Sequence, residues 1–352
     1  MEQDQEALRR ITNVPKKMKA LQYSAPEKFA VVELDLPEIG PEDVLVKISA
    51  CGVCGTDLHY HKGEFLAKWP LIPGHEATGT IARLGSSISP HSLPLNTPIV
   101  ADPMQPCLTC FHCQRRKPLL CSNMTAYGGN VPGGFAEYVR YPARLVHAVG
   151  KSRDLPRLEA VLVEPAACAL HGIERIREGG GVVGSRVLLF GCGPTGCLLA
   201  QLVRLNGAAH LTIASKPGPK LDIARKMRFA DEFVEIPETA PHVEMNALKE
   251  ANSFGFDVVI EATGSPAVLE ASLDYVRKGG ALVVYGVYDE AVKIAWSPFR
   301  IWENEITILA SFCSQGHMPH TFRIEEWADA LEAVRMGSCV KAAIVFDQVK
   351  RD

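Results

Sequence analysis

Beyond Glu164 the chain repeats one pattern: a short apolar run, a stretch long enough for a helix, then another apolar run. The runs are Val187 to Phe190, Leu211 to Ala214, Val258 to Ile260, Ala281 to Tyr285 and Ile306 to Leu309. Continuous apolar residues, rather than alternating ones, predict strands buried on both faces, and helix-length spacers predict crossovers between parallel neighbours. The architecture this allows is an α/β fold with a doubly wound parallel sheet. After the first strand comes Gly191-Cys192-Gly193-Pro194-Thr195-Gly196, which opens the helical run Leu198 to Leu205. In that setting Gly191 permits a tight turn, Gly193 lets the backbone approach a pyrophosphate, and Gly196 lets helix pack closely on strand. The N-terminus of that helical run has unpaired N–H groups that favour negative charge, so Pro194 and Thr195, within the turn, are expected to lie against the pyrophosphate. The turn therefore points to a bound dinucleotide.

Which dinucleotide is decided at the end of the next strand. An acidic residue about 20 positions past the turn would accept hydrogen bonds from the ribose hydroxyls and repel a 2′-phosphate. The segment instead reads Ala214-Ser215-Lys216-Pro217-Gly218-Pro219-Lys220. Ser215 offers a hydroxyl, and Lys216 and Lys220 offer two cations, where a phosphate dianion would lie. NADP is favoured over NAD. The plainer alternative is that both lysines only solvate a surface loop.

A chain of 352 residues has room for two domains and a cofactor. From Met18 to about Val163 short β-like runs such as Val44 to Ile48 and Ile99 to Ala101 alternate with Gly and Pro, which predicts a β-rich domain. After Phe312 a helix near Glu325 to Met336 and a final strand, Ala342 to Phe346, are expected to return to that domain. The expected division is a polar tail over 1–17, a catalytic domain over 18–163 and 314–352, and a nucleotide-binding domain over 164–313. With 37 basic against 40 acidic side chains and a net charge of −3, there is no basic footprint for nucleic acid or anionic lipid. A small-molecule partner is expected. The most apolar stretch, Val187 to Val203, is broken by Gly191, Gly193, Pro194 and Gly196, and the first twenty residues lack an apolar signal core. A cytoplasmic protein without membrane contact is expected.

Four of the eleven cysteines, Cys107, Cys110, Cys113 and Cys121, fall within fifteen residues, with two, two and seven residues between them. Thiolates at that spacing can close a tetrahedral zinc cage, and a cage with no open position is structural. Buried hydrophobic cysteines are a poorer reading, because Gln114, Arg115, Arg116 and Lys117 make the segment polar. A reducing compartment would keep the thiols available. A second, open site would have to come from distant segments. Cys54 lies in Cys51-Gly52-Val53-Cys54-Gly55-Thr56-Asp57, His75 and Glu76 follow Pro73-Gly74, and Glu164 stands in Val163-Glu164-Pro165. Singly, each has an ordinary structural reading: a core thiol, a hydrogen-bonded imidazole, a helix N-terminal charge. Their spacing is not local, so the residues alone leave a catalytic zinc open.

The stretch Gly74-His75-Glu76-Ala77-Thr78-Gly79, followed by Gly85, resembles the zinc signature of the medium-chain alcohol dehydrogenases. The four cysteines, the glycine turn and Asp257 to Gly264 come in that family's order, and the match runs over nearly all the chain beyond residue 17. Glu164-Pro165 stands where other alcohol dehydrogenases place a zinc-binding cysteine, as in the polyol branch typified by sorbitol and xylitol dehydrogenases. The resemblance implies a GroES-like β-rich catalytic domain joined to a Rossmann domain, one catalytic and one structural zinc, and a homo-oligomer, tetramer or dimer. It implies Cys54 and His75 as zinc ligands, with Glu76 and Glu164 competing for the third protein position or holding the zinc-bound water. The catalytic role expected of the metal is that of a Lewis acid. Zinc lowers the pKa of bound water from about 15.7 to about 7, which is about 12 kcal/mol of anion stabilisation.

The resemblance also implies a proton relay from Thr56, through a ribose hydroxyl of the cofactor, toward His59. The alternatives are a threonine packed by its methyl and a merely exposed histidine. Tyr60 is read either as lining the substrate cleft or as an ordinary packed aromatic. One departure bears on the substrate: the Arg-Tyr pair that helps sorbitol dehydrogenases hold the polyol corresponds here to Phe312-Cys313-Ser314-Gln315. A pentitol such as arabinitol or xylitol is expected ahead of sorbitol. Threonine or a simple alcohol is the alternative within the family. A non-catalytic cofactor-binding protein is the alternative outside it, and the presence of Cys54, Thr56, His75 and Glu76 counts against that reading.

Overall fold

In the computed structural model, which describes residues 14–64, 67–149, 159–237, 239, 241–313, 320–323 and 342–345, the chain divides into two units. One comprises Met1–Ala167 with Gln315–Asp352, the other Cys168–Ser314.

The first unit is built from antiparallel strands. β1 (Lys17–Ala25) pairs with β2 (Lys28–Asp35). Then come β3 (Asp43–Gly52), β4 (Glu76–Leu84), β5 (Pro98–Ala101), the short pair β6 (Met104–Gln105) and β7 (Thr125–Ala126), β8 (Tyr138–Pro142) and β9 (Val146–Ala148). The main sheet has the order β8-β3-β4-β5-β9. Side-chain alternation along β3 explains its two-sided burial: Val44 and Val46 join Ile81, Ile99 and Tyr141 on one face, and Leu45 joins Met18 and Tyr138 on the other. Lys17, expected in the tail, opens β1 opposite Asp35. At the far end of the chain β16 (His320–Arg323) and β17 (Ala342–Val345) form a parallel pair. The helix expected near Glu325 to Met336, the tail up to residue 13, and Ser314 and Gln315 lie outside the described residues.

The second unit is a six-stranded parallel sheet in the order β12-β11-β10-β13-β14-β15. Its strands are β10 (Arg186–Phe190), β11 (His210–Ser215), β12 (Glu232–Glu235), β13 (Phe256–Glu261), β14 (Val276–Val284) and β15 (Thr307–Ala310). Continuous apolar runs become two-faced burial: Val187 and Leu189 pack in one core with Ile213 and Ile260, while Leu188 and Phe190 pack in the other with Val259 and Leu282. Each fully buried Leu or Val stabilises the sheet by about 1.5–3 kcal/mol. β12 has no counterpart among the apolar runs, because Phe233 and Val234 are only half-buried and lie between two glutamates at the sheet's edge. β14 starts at Val276, ahead of its apolar run, since Val276 pairs with Phe256 before the register shifts. Strand order reverses between β10 and β13, which creates the crevice at the carboxyl ends where such sheets hold ligands.

Candidate metal centres and the dinucleotide turn

Antiparallel pairing of β3 with β4 brings the distant candidate ligands together. Gly52 lies opposite Glu76, so Cys54, just past the end of β3, meets His75, just before the start of β4. Cys54 is the N-cap of the helix Gly55–Lys62. Its N–H donates to Asp57 Oδ2 at 2.9 Å, which fixes the backbone from which the thiol projects. The ligand atoms of Cys54, His75 and Glu76 all lie within 4.8 Å of one another. Room for the Glu76 carboxylate comes from Gly52, where a Cβ would stand 1.8 Å from Glu76 Oε2. The neighbouring Cys51 is a different thiol: it faces Gly134, and burial pushes its pKa up to about 12.

The electrostatics of the cluster fit a divalent cation. Burial, then the charge of Glu164, raises Glu76 to about 7. At His75 burial opposes the charged ring, but Cys54, Glu164 and Asp57 outweigh it and hold the pKa at about 9. Negative groups thus converge on one imidazole without a full complement of positive charge. His75 Nδ1 and Asp57 Oδ1 are buried, have no hydrogen-bond partner, and stand 3.8 Å apart. A carboxylate placed beside one ring nitrogen is the arrangement that can orient a histidine whose other ring nitrogen ligates a metal. Asp57 was not among the residues singled out from sequence; its place three residues after a candidate ligand, in a helix's first turn, was the available signal. A sulfur, a nitrogen and an oxygen donor suit zinc. Glu164 opens the helix Val163–Glu178 and is outside the 4.8 Å set, although its charge reaches Cys51, His75 and Glu76.

On the helix Gly55–Lys62, Thr56 Oγ1 lies 3.7 Å from Cys54 Sγ. His59, one turn further on, has its Nδ1 2.9 Å from Glu64 Oε2. Tyr60 is buried, with its hydroxyl against Gly129.

Cys107, Cys110, Cys113 and Cys121 also have their sulfurs mutually within 4.8 Å. Around a tetrahedral zinc with bonds of about 2.3 Å, sulfurs would be about 3.8 Å apart, and Cys110 Sγ and Cys121 Sγ are 3.9 Å apart. Backbone N–H groups aim at the sulfurs as they do at thiolates: Cys107 and Asn123 donate to Cys121 Sγ at 3.2 and 3.3 Å, and Cys110 donates to Cys107 Sγ at 3.4 Å. Hydrogen bonds from the Thr109 side chain and backbone, then from Cys110, hold Cys107 down at about 5, whereas burial and its thiol neighbours push Cys113 to about 12. Every cysteine among the described residues is free of disulfide.

In the second unit Gly191 adopts φ +98°, which admits glycine readily. Gly193 caps the helix Pro194–Leu205. A Cβ on Gly193 would meet nothing within 4 Å, whereas one on Gly196 would sit 2.4 Å from the Gly191 carbonyl oxygen. The second glycine thus leaves the backbone approachable and the third serves packing. Thr195 follows Pro194 in the first turn. Ser215 ends β11, and Lys216 and Lys220 are exposed beyond it, Lys220 in the first turn of the helix Pro219–Lys226.

Residues 40–151 match the model of the alcohol dehydrogenase GroES-like domain, and residues 194–335 match that of the zinc-binding dehydrogenases. The chain belongs to the zinc-containing medium-chain alcohol dehydrogenases, in their polyol-dehydrogenase branch. It is 42% identical over 349 residues to D-arabinitol dehydrogenase 1 of Uromyces fabae, covering 94% of this chain and 98% of that protein. It is 32% identical over 313 residues to D-altritol 5-dehydrogenase of Agrobacterium fabrum, covering 88% of each. A crystal structure from Sinorhizobium meliloti, described as a zinc-binding dehydrogenase bound to NADP, superposes with a TM-score of 0.77 at 30% identity, covering 92% of this chain and 90% of that one. Among the described residues no helix is long and apolar enough to cross a membrane.

Proposed function

We propose that this chain oxidises a secondary alcohol of a polyol, a pentitol such as arabinitol or xylitol, with NADP as hydride acceptor. The observation that carries the chemistry is the convergence of Cys54, His75 and Glu76 within 4.8 Å. These three would hold a catalytic zinc, with Glu164 behind them, and the four clustered cysteines a structural one. When bound, the catalytic zinc supplies Lewis-acid stabilisation of an alcohol oxygen, and the dinucleotide supplies the hydride acceptor. The chain's own residues supply the rest. Asp57 orients Cys54 and His75, the Thr56 hydroxyl accepts the substrate's proton as it gives up its own, and that proton moves toward His59, held by Glu64, and on to solvent. Thr56 and His59 lie three residues apart on one helix and so share a face.

The pentitol assignment draws on the D-arabinitol relative at 42% identity, and the NADP assignment on Ser215, Lys216 and Lys220 together with the NADP-bound structure. A homo-oligomer is proposed as well. β15 is an edge strand, and Phe299 and Trp302 on the helix Pro298–Glu303 are 63% and 74% exposed; an open strand edge and exposed aromatic rings are each features that a subunit contact covers. Light scattering in solution reports the mass.

The deciding assay is oxidation of pentitols, hexitols, threonine and short alcohols with NADP or NAD, before and after chelation. Fastest turnover of a pentitol, lost on chelation, is the expected outcome; turnover of threonine or short alcohols alone overturns the reading. Asp57→Asn is expected to weaken catalytic zinc binding about 10–100-fold. Chelator competition followed by zinc analysis checks it, and an unchanged affinity would remove Asp57 from the site. Ser215→Asp is expected to move the NADP/NAD ratio of kcat/KM toward NAD by about 100-fold, because a carboxylate facing the 2′-phosphate is a like-charge contact. An unchanged ratio would show that the phosphate lies elsewhere.

A further inference from the structure

The reaction described above makes no use of the Glu261 carboxylate, yet among the described residues it is the one acid with no exposed surface. Glu261 closes β13. One of its carboxylate oxygens accepts the Thr263 N–H at 2.6 Å and also the Thr263 hydroxyl. The other accepts the Tyr288 hydroxyl. Its backbone carbonyl accepts the N–H groups of Tyr285 and Gly286 at 3.0 and 2.9 Å. One residue therefore ties together the segments that follow β13 and β14. The fit is close: a Cβ on Gly286 would stand 2.6 Å from both Glu261 Oε2 and the Gly264 nitrogen.

The segment after β13 in turn backs the glycine turn. The Ala262 N–H donates to the Phe190 carbonyl at 3.0 Å. A Cβ on Gly191 would lie 3.0 Å from both the Ala262 carbonyl oxygen and Thr263 Cγ2. This contact sits between β10 and β13, where strand order reverses. A carboxylate fully removed from water is an expensive way to fill a core, since apolar residues of similar volume commonly stabilise at least as well. Its hydrogen bonds are instead directional and charge-assisted, suited to fixing loop geometry.

We infer that Glu261 is a positioning residue of the dinucleotide site: through Thr263 and Tyr288 it holds the segments after β13 and β14 against Gly191, so that the glycine turn keeps the path a pyrophosphate needs. The inference rests on the dinucleotide reading above. It is tested on the full-length, zinc-loaded protein by measuring the Kd for NADPH and NADH by fluorescence, together with the melting temperature, for wild type, Glu261→Gln and Tyr288→Phe. Expected are a Kd about tenfold higher for Glu261→Gln, which weakens all the bonds the carboxylate accepts, and about threefold higher for Tyr288→Phe, which removes one of them while Thr263 stays held. Zinc content should stay at the wild-type value. A purely structural carboxylate would lower the melting temperature and leave Kd unchanged below it, which overturns the inference. Should Glu261→Gln fail to fold, Tyr288→Phe decides, because it removes one hydroxyl and keeps the ring. If the wild type binds neither dinucleotide, the dinucleotide reading falls and this inference with it; if the wild type binds and both variants bind equally well, the inference alone falls.

Discussion

Replacing Cys54 by alanine is expected to remove at least about 99.9% of alcohol oxidation while leaving the chain folded and one zinc per subunit in place of two. A thiolate lost from a three-residue ligand set leaves an imidazole and a carboxylate, too few protein donors for a tight catalytic zinc. Without that ion the Lewis-acid stabilisation of an alcohol oxygen losing its proton is gone, and several kcal/mol of barrier return. His75→Ala should behave alike, which guards against a local folding defect at the start of the helix Gly55–Lys62. The measurements are zinc per subunit, far-ultraviolet circular dichroism and kcat/KM on the best polyol. Either variant keeping two zincs, or a tenth of wild-type activity, would show that the ion is held elsewhere.

Cys113→Ala is expected to act on stability instead. The segment from Cys107 to Cys121 contains only the short helices Phe111–Gln114 and Pro118–Leu120, and Leu108, Phe111 and Leu120 are at least half exposed. So little apolar burial cannot order fifteen residues, because backbone ordering costs about 1–2 kcal/mol per residue. On the proposed reading the order comes from the ion the four sulfurs would hold, since structural zinc sites supply folding energy outright. Loss of this ion should lower the melting temperature by about 10 °C, taking roughly 2–4 °C per kcal/mol for a domain of this size. It should also open the segment to protease. Zinc should fall to one per subunit with activity largely kept at low temperature, the opposite of the Cys54 result. A melting temperature within a degree of wild type would mean that the four sulfurs hold no structural ion.

The two predictions rest on sites of very different legibility. The four cysteines sit within fifteen residues, so a short loop suffices to gather them, and their spacing alone points to a cage. The turn from Gly191 to Gly196 is similarly local, because each glycine answers a steric demand made within a few residues. The parallel sheet was legible for a related reason: strand segments buried on both faces must be apolar, as Val187 to Phe190 of β10 are. β12 escaped notice because an edge strand carries no such demand. Asp57 escaped notice because its role depends on the position of His75, eighteen residues away.

Local chemistry, then, was written in the order of the residues: which segment can bind a pyrophosphate, which can enclose a metal, and which runs must be buried. The choice among the remaining reactive groups belonged to the folded chain. Pairing of β3 with β4 sets Gly52 across from Glu76, and that register selects Cys54 over Cys51, gathers His75 and Glu76 with it, and leaves Glu164 at electrostatic range. The physical reason is that a cross-strand register is set by packing and hydrogen bonding summed over whole strands, so the spacing of a few residues cannot reveal it.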